Sequence, residues 1–191
     1  MKIRKDFKYK LIKNFLTKAE TSLLKDYTIL TIRHNEEHFN LGQSSNVPNL
    51  CMFSDPIMES LMLQKRLLVQ KQTGLELLPT YTYWRGYTKF YVYGSKLTKH
   101  TDRPSCEISV TVNIGSDGTP WPIFMDNTPL NLNPGDAAIY LGCEVKHWRE
   151  EFKGDWCSQV FMHYVDKNGP YKSFFKDKRI HYGLKERYAN V

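Results

Sequence analysis

A chain of 191 residues with 41% hydrophobic and 14% aromatic residues is long enough to bury a core and too apolar for intrinsic disorder. No apolar run reaches transmembrane length, and no signal-peptide core follows the basic start, so we expect one cytoplasmic domain without a membrane partner. The net charge of +7 comes from residues 1–20 and 167–191, each with seven Lys and Arg against two acids, and we interpret both ends as solvated.

The N-terminal part of the chain predicts a short strand and two helices. Residues 9–15 indicate the strand, and Thr17 with Glu20 forms a capping box that starts a helix reaching about residue 27. Residues 33–50 are polar and predict a loop. The second helix has Asp55 as its cap, a proline in its first turn and Gly74 at its end.

The chain after Pro79 is typical of β-structure. Apolar and polar residues alternate over residues 106–114, and turn residues follow at 115–118 and 133–136. Further short strands are predicted at 81–85, 90–93, 121–125, 130–132, 137–141 and 158–165. We therefore predict a single α+β domain whose all-β core is an antiparallel sandwich or barrel, with helices on one side.

The four cysteines are scattered at positions 51, 106, 143 and 157, and none forms a CxxC pair. We interpret them as buried free thiols in a reducing compartment.

Two histidines and one aspartate carry the chemistry. His100 and Asp102 form an HxD motif, whose spacing places both side chains on one face of an extended segment. His147 follows the predicted strand at 137–141, so it must come from a different strand. Two histidines and a carboxylate are the ligands of a non-haem Fe(II) facial triad, which leaves coordination positions open.

The surroundings of these residues resemble the Fe(II)- and 2-oxoglutarate-dependent oxygenases, and within them the prolyl 4-hydroxylase-like branch. The resemblance rests on the pattern Tyr91-x-x-Gly94-x-x-Leu97-x-x-His100-x-Asp102, a regular strand, and the Pro-Gly-Asp turn and strand that lead into His147. It covers roughly residues 80–166 with specific motifs.

This resemblance implies a double-stranded β-helix (jelly roll) core at about residues 80–166, N-terminal helical support over 1–78 and a basic C-terminal segment over 167–191. It implies that His100, Asp102 and His147 bind Fe(II) as the catalytic residues. The co-substrates would be 2-oxoglutarate and O₂, with ascorbate as a further candidate cofactor. The reaction would hydroxylate an unactivated C–H bond and release succinate and CO₂.

The sequence departs from the family at one position. The family places Arg or Lys about ten residues after the second histidine, to pair with the far carboxylate of 2-oxoglutarate, and here that position is Cys157. Gln159 and His163 share its strand face. A buried carboxylate needs a positive partner or several donors, so we expect a nearby cation to substitute, Arg149 first. The other cations considered are Arg85, Lys99 and Arg103.

Three more residues are candidates for the co-substrate site. Tyr91 lies where related hydroxylases keep a co-substrate tyrosine, although an ordinary barrel tyrosine would fit equally well. Thr111 and Asn113 belong, with Ser109, to a polar row on one strand face, which we expect to line the pocket.

Two other classes of function fit parts of the sequence. A cupin-like jelly roll could hold a different metal on the same three ligands without 2-oxoglutarate, and Cys157 keeps that alternative open. A non-catalytic module could bind nucleic acid through the basic ends, but the intact triad argues against nucleic acid as a partner. The substrate, peptide or small molecule, and the oligomeric state are not indicated by the sequence.

Overall fold

The computed structural model describes residues 7–34, 40–41, 50–88 and 95–183. Two α-helices are present, α1 (Lys18–His34) and α2 (Pro56–Thr73). The strands are β1 (Tyr9–Ile12), β2 (Asn40–Leu41), β3 (Leu50–Phe53), β4 (Leu77–Thr88), β5 (Leu97–His100), β6 (Ile108–Ser116), β7 (Ile123–Met125), β8 (Thr128–Leu130), β9 (Ala137–Leu141), β10 (His147–Arg149) and β11 (Trp156–Asp166).

The strands form two antiparallel sheets. The large sheet has the order β1-β9-β6-β11-β4-β3-β2, and the small sheet has the order β5-β10-β7-β8. From β4 to β11 the chain crosses between the sheets at every step except the β7–β8 hairpin. This alternation matches a jelly roll, in which the inner faces of two sheets enclose a site.

Both helices pack on the outer face of the large sheet. Tyr164 of β11 donates its hydroxyl to Met62 O in α2 at 2.8 Å, and Trp84 of β4 is buried on the same side. A Cβ at Gly86 would lie 2.6 Å from Ile32 Cδ1 of α1, so this glycine permits close contact between helix and sheet. The inner face of the large sheet is therefore left for the site.

The residues that the sequence predicts as helix caps make capping hydrogen bonds. Thr17 N donates to Glu20 Oε2 at 2.7 Å, and Glu20 N donates to Thr17 Oγ1 at 3.1 Å. Asp55 Oδ1 accepts from the first two amides of its helix, and Gly74 ends that helix at φ 76°. Helix α1 continues to His34, beyond the expected residue 27, because its last turns pack on the large sheet.

Several strand boundaries differ from the sequence-based expectation. β4 begins at Leu77 and includes Pro79, where an irregularity in the pairing with β11 accommodates the missing amide. The region expected to be a loop contains β2 and the first residue of β3, so the N-terminal part supplies more strands than expected. β8 lies two residues before its expected position. The strand expected at 90–93 falls outside the described residues.

The expectation that both basic ends are solvated is wrong for part of the C-terminal segment, where Arg179 is buried. Near the N-terminus the lysines at positions 8, 10, 13 and 18 are exposed, although β1 pairs with β9. Arg179 Nη2 lies 2.6 Å from Glu59 Oε1 of α2, with both side chains 2% exposed. The sequence does not predict this ion pair, because Glu59 and Arg179 are far apart along the chain. No helix in the described ranges combines the length and apolarity needed to cross a membrane.

Candidate metal centre and adjoining pocket

The two candidate histidines face each other across neighbouring strands. His100 at the end of β5 is the register partner of His147 at the start of β10, and their ring centroids are 4.3 Å apart. Asp102 follows β5 by two residues, so its carboxylate reaches back to both rings. Asp102 Oδ1 lies 3.6 Å from His100 Nε2 and 3.5 Å from His147 Nε2.

These separations suit a bound cation better than direct hydrogen bonds. Distances of 3.5–3.6 Å are too long for strong hydrogen bonds between nitrogen and oxygen. Ligands about 2.1 Å from one ion at right angles would be about 3 Å apart, close to the observed spacing. The three side chains therefore form one face that could hold a metal ion.

Backbone carbonyls fix both imidazoles in the orientation that metal binding requires. His100 Nδ1 lies 2.7 Å from Thr98 O, and His147 Nδ1 lies 3.0 Å from Val145 O. A carbonyl only accepts, so each Nδ1 carries the proton and each Nε2 presents its lone pair towards Asp102. This is the arrangement by which proteins orient metal-binding histidines.

Hydrogen bonds on the side away from the imidazoles also fix the position of Asp102. Ser109 Oγ on β6 donates to Asp102 Oδ2 at 2.7 Å, and Asp102 N donates to Gly142 O at 2.7 Å. Burial alone would raise the pKa of Asp102, but the neighbouring imidazoles of His100 and His147 hold it well below its ordinary value. The carboxylate is therefore ionised and ready to bind a cation.

A buried histidine completes this polar network. His163 Nδ1 on β11 lies 3.0 Å from Ser109 Oγ. The single serine proton points to Asp102, so His163 must donate from Nδ1 to the serine oxygen. Burial lowers the pKa of His163 to about 4, so the ring is neutral at physiological pH. His163 therefore orients Ser109, which in turn orients Asp102.

A second potential cluster shares Asp102 and adds Cys106 and His163. Burial, then the charge of Asp102, raises the pKa of the Cys106 thiol to about 12. A protonated thiol is a poor metal ligand, so the two-histidine face is the better metal centre.

Beyond the metal centre, polar side chains from β6 and β11 line a cavity of about 290 Å³. Asn113, Cys157 and Gln159 are among its lining residues, with Trp121 on one wall. Asn113 and Gln159 are register partners. Within the described structure, Thr111 Oγ1, Asn113 Oδ1 and Gln159 Oε1 are buried without a hydrogen-bond partner. Such atoms on one inner face mark a site that is completed by a polar ligand or water.

Arg149 lies beside this cavity. The residue is 2% exposed, its Cζ lies 4.8 Å from the Trp121 ring centroid, and its Nη1 donates to Trp121 O. Burial raises the pKa of the Cys157 thiol to about 11, and the nearby Arg149 charge opposes that rise. Cys157 is thus a neutral thiol, and the positive charge on this side of the cavity belongs to Arg149.

The other predicted cations occupy different places. Arg85 is buried on the inner face of β4, opposite Gln159. Arg103 pairs with Asp177 at 3.1 Å, and Lys99 lies over the Trp148 ring on the outer side of the small sheet. Tyr91 lies outside the described residues.

Tyr140 also lies at the metal centre, although no sequence motif indicated it. Its ring centroid lies 4.7 Å from that of His147, and it pairs in register with Ser109. Burial, followed by the charges of Asp102 and Cys106, raises the pKa of Tyr140 well above its ordinary value, so its hydroxyl stays protonated. The sequence could have indicated Tyr140 by its position: Ala138 and Tyr140 lie on one face of the predicted strand that leads to His147.

Comparison with known proteins gives a likeness to solved structures. No protein-family model matches the sequence, and no functionally curated protein is significantly similar to it. SnoN, a non-haem alpha ketoglutarate dependent epimerase from nogalamycin biosynthesis, matches with a TM-score of 0.69 and 12% identity over 84% of this chain and 78% of SnoN. The chain has the fold of the 2-oxoglutarate-dependent oxygenases.

Two further solved structures support this fold. A Pseudomonas putida prolyl-4-hydroxylase matches with a TM-score of 0.61 and 18% identity, over 84% of this chain and 94% of that one. EctD from S. alaskensis, solved with 2-oxoglutarate and 5-hydroxyectoine, matches with a TM-score of 0.66 and 12% identity, over 84% of this chain and 73% of EctD. The resemblance drawn from the sequence agrees with these structures, which differ among themselves in reaction and substrate.

Proposed function

We propose that this protein is an Fe(II)- and 2-oxoglutarate-dependent dioxygenase that hydroxylates an unactivated C–H bond. The observation that carries the proposal is the convergence of His100, Asp102 and His147 into one metal-binding face inside this fold. Bound Fe(II) and 2-oxoglutarate would supply the oxidising chemistry with O₂, with succinate and CO₂ as products.

The protein's own part is to orient the ligands and to limit access to them. His147 is 2% exposed and His100 is 37% exposed at their side chains, so the metal centre is closed on one side and open on the other. Thr98 O and Val145 O direct the two imidazoles, while Ser109 and His163 direct Asp102. Substrate is therefore expected to approach past His100.

We propose that 2-oxoglutarate occupies the cavity lined by β6, β11 and Trp121, which Arg149 of β10 adjoins through its contact with Trp121. Arg149 would neutralise the far carboxylate, since Cys157 carries no charge.

Thr111 would donate a hydrogen bond from its buried, unpartnered hydroxyl on β6. Asn113 Nδ2 already donates to Leu132 O, so the unpartnered Asn113 Oδ1 would accept a hydrogen bond from water bound beside the co-substrate. Gln159 can present its NH₂ group inward by rotating its amide.

The structural neighbours support two candidate classes of substrate. One structural neighbour is a prolyl-4-hydroxylase, which supports a prolyl or other peptide residue as one candidate. EctD was solved with 5-hydroxyectoine, which supports a small molecule as the other. Both fit a metal centre that is open at His100.

Succinate production tests the proposal. The protein, supplied with Fe(II), ascorbate, O₂ and 2-oxoglutarate, should slowly form succinate even without substrate, as measured by NMR. His147→Ala should abolish succinate formation, and His181→Ala should not, because His181 is exposed and lies in the C-terminal segment. If His147→Ala and the unaltered protein formed succinate at equal rates, His100, Asp102 and His147 could not be the metal ligands of the enzyme.

A cupin-like metal protein is the second candidate. It is favoured by Cys157, because the inner face of β11 carries Cys157, Gln159, Phe161 and His163 and thus no cation. Such a protein would bind a divalent metal on the same three residues and show no affinity for 2-oxoglutarate. Calorimetric titration of the metal-loaded protein with 2-oxoglutarate distinguishes the two functions.

A further inference from the structure

We infer that Asp177 of the C-terminal segment is a positioning residue of the metal centre, which it reaches through Arg103. This inference deepens the proposed function and rests on it for one point, the assignment of Asp102 as a metal ligand. It gives the C-terminal segment a function that its basic composition does not suggest.

Asp177 forms an ion pair with the residue that follows the metal ligand. Arg103 Nη2 lies 3.1 Å from Asp177 Oδ2, and the Asp177 side chain is 8% exposed whereas that of Arg103 is 40% exposed. A buried carboxylate loses much of its hydration, so it depends on such a cation for compensation. Because Arg103 directly follows Asp102, a contact that fixes Arg103 also limits the movement of the Asp102 backbone.

Arg103 also packs against the side chains that orient the Asp102 carboxylate. Its Cζ lies 4.8 Å from the ring centroid of Tyr81, and the ring centroids of Tyr81 and His163 are 4.6 Å apart. His163 in turn contacts Ser109, whose hydroxyl donates to Asp102. Arg103 is therefore connected to this carboxylate by two routes, the main chain and a packed row of side chains.

The backbone around Asp177 adopts an unfavourable conformation. Lys176, Asp177 and Lys178 have positive φ values of 54°, 52° and 64°. In the left-handed region the Cβ atom of any residue other than glycine crowds the following carbonyl oxygen, so the surrounding structure must hold three such residues in a row. Backbone outliers of this kind cluster at functional sites. Here the turn places a buried carboxylate against Arg103.

A second ion pair anchors this turn on its far side. Arg179 N and Nε both donate to Lys176 O, at 3.0 and 2.9 Å, and close the turn. Arg179 Nη2 also lies 2.6 Å from Glu59 Oε1 and donates to Thr80 O at 2.9 Å. The turn is thus fixed to α2 and β4, which gives Asp177 a rigid support.

Metal affinity and the visible spectrum of bound Co(II) test the inference. Asp177→Asn removes the charge but keeps a residue type that tolerates the left-handed conformation, so the turn should persist. Metal-free protein is titrated with Co(II) in competition with a metal indicator, and the absorption spectrum of the Co(II) form is recorded. We expect about three- to tenfold weaker binding, less than the usual loss for a direct partner of a metal ligand, and altered Co(II) bands because Asp102 is less well placed.

Variants of Arg103 test the same contact from its partly exposed side, including the case in which Asp177→Asn does not fold. Arg103→Gln should weaken Co(II) binding to a similar degree, and Arg103→Lys should weaken it less. The double variant of Arg103→Gln and Asp177→Asn should lose no more affinity than either single variant, as expected for two residues that act through one contact. Lys178→Asn is the matched control, because it changes an exposed residue of the same turn and should leave Co(II) binding unchanged.

Two results would overturn the inference. If Asp177→Asn lowered the stability to urea but bound Co(II) with the affinity and spectrum of the unaltered protein, the ion pair would be structural only. If the losses of affinity in the single variants added in the double variant, Asp177 would not act through Arg103. Failure of the Co(II)-loaded protein to bind 2-oxoglutarate would end the proposed function and leave this inference standing, whereas failure of the unaltered protein to bind Co(II) would end both.

Discussion

Ser109 donates its hydroxyl proton to Oδ2 of Asp102 across 2.7 Å, and this bond turns Oδ1 towards the two imidazoles. Ser109→Ala should therefore weaken metal binding by about tenfold to a hundredfold, the usual loss when a hydrogen bond behind a metal ligand is removed. Competition with a metal indicator for Co(II) measures it. Ser60→Ala, which removes an exposed helix hydroxyl, is the control and should leave the affinity unchanged.

Gly142 makes room for the same carboxylate. A Cβ at this position would lie 2.5 Å from Asp102 Oδ2 and 2.8 Å from Ser109 Oγ, and it would also meet Cys106 O. Gly142→Ala should displace Asp102 and abolish Co(II) binding in the same assay.

Gly118→Ala is the control for this glycine. Its φ of +93° makes alanine unfavourable by about 1 kcal/mol, but nothing lies within 4 Å of the new Cβ. The Gly118→Ala protein should keep its metal affinity. Tight Co(II) binding by Gly142→Ala would contradict the packing described around Asp102.

Because His163 is buried, we expect the folding stability of the metal-free protein to fall in acid. Its folded pKa is about 4, below the unfolded value of about 6.5, so between these values the unfolded chain binds a proton that the folded chain excludes. This contribution to stability is complete above about pH 6.5 and falls by roughly 3 kcal/mol as the pH drops to about 4.

Urea unfolding at several pH values measures this effect. His163→Asn should flatten the pH dependence of the free energy of unfolding between pH 6.5 and 4, and exposed His181→Asn should not. An unchanged slope in His163→Asn would show that His163 is not held neutral in the folded protein.

The ion pair between Arg179 and Glu59 should contribute strongly to stability. Both side chains are 2% exposed, so Glu59→Gln leaves a buried guanidinium without its carboxylate and should cost about 3–5 kcal/mol. Glu76→Gln removes the exposed pair with Lys167 and should cost less than about 1 kcal/mol. Equal losses in urea unfolding would contradict the buried position of Arg179.

The sequence predicted the parts of the site that depend on local spacing. His100 and Asp102 are two residues apart at a strand end, so their proximity follows from strand geometry. The second helix begins after Asp55 and ends at Gly74, as predicted, because capping residues act on neighbouring backbone groups. Buried free cysteines were expected from their spacing; all four are free thiols, but Cys143 is only partly buried.

The sequence could not predict the parts that depend on strand pairing. Tyr140 reaches His147 and Ser109 only because β9 pairs with β6 in one register. Arg179 is buried by Glu59, which lies 120 positions earlier in the chain. Local periodicity carries no information about such partners, whose contacts are fixed by the packing of the whole sheet.

An anaerobic titration shows whether the metal centre binds a 2-oxo acid, as we claim. Metal-free protein receives Fe(II) and then increasing 2-oxoglutarate, and the visible absorption spectrum is recorded. We expect a weak metal-to-ligand charge-transfer band that saturates with 2-oxoglutarate and is absent in His147→Ala. Iron binding without that band, at saturating 2-oxoglutarate, would contradict the claim and favour the cupin-like function.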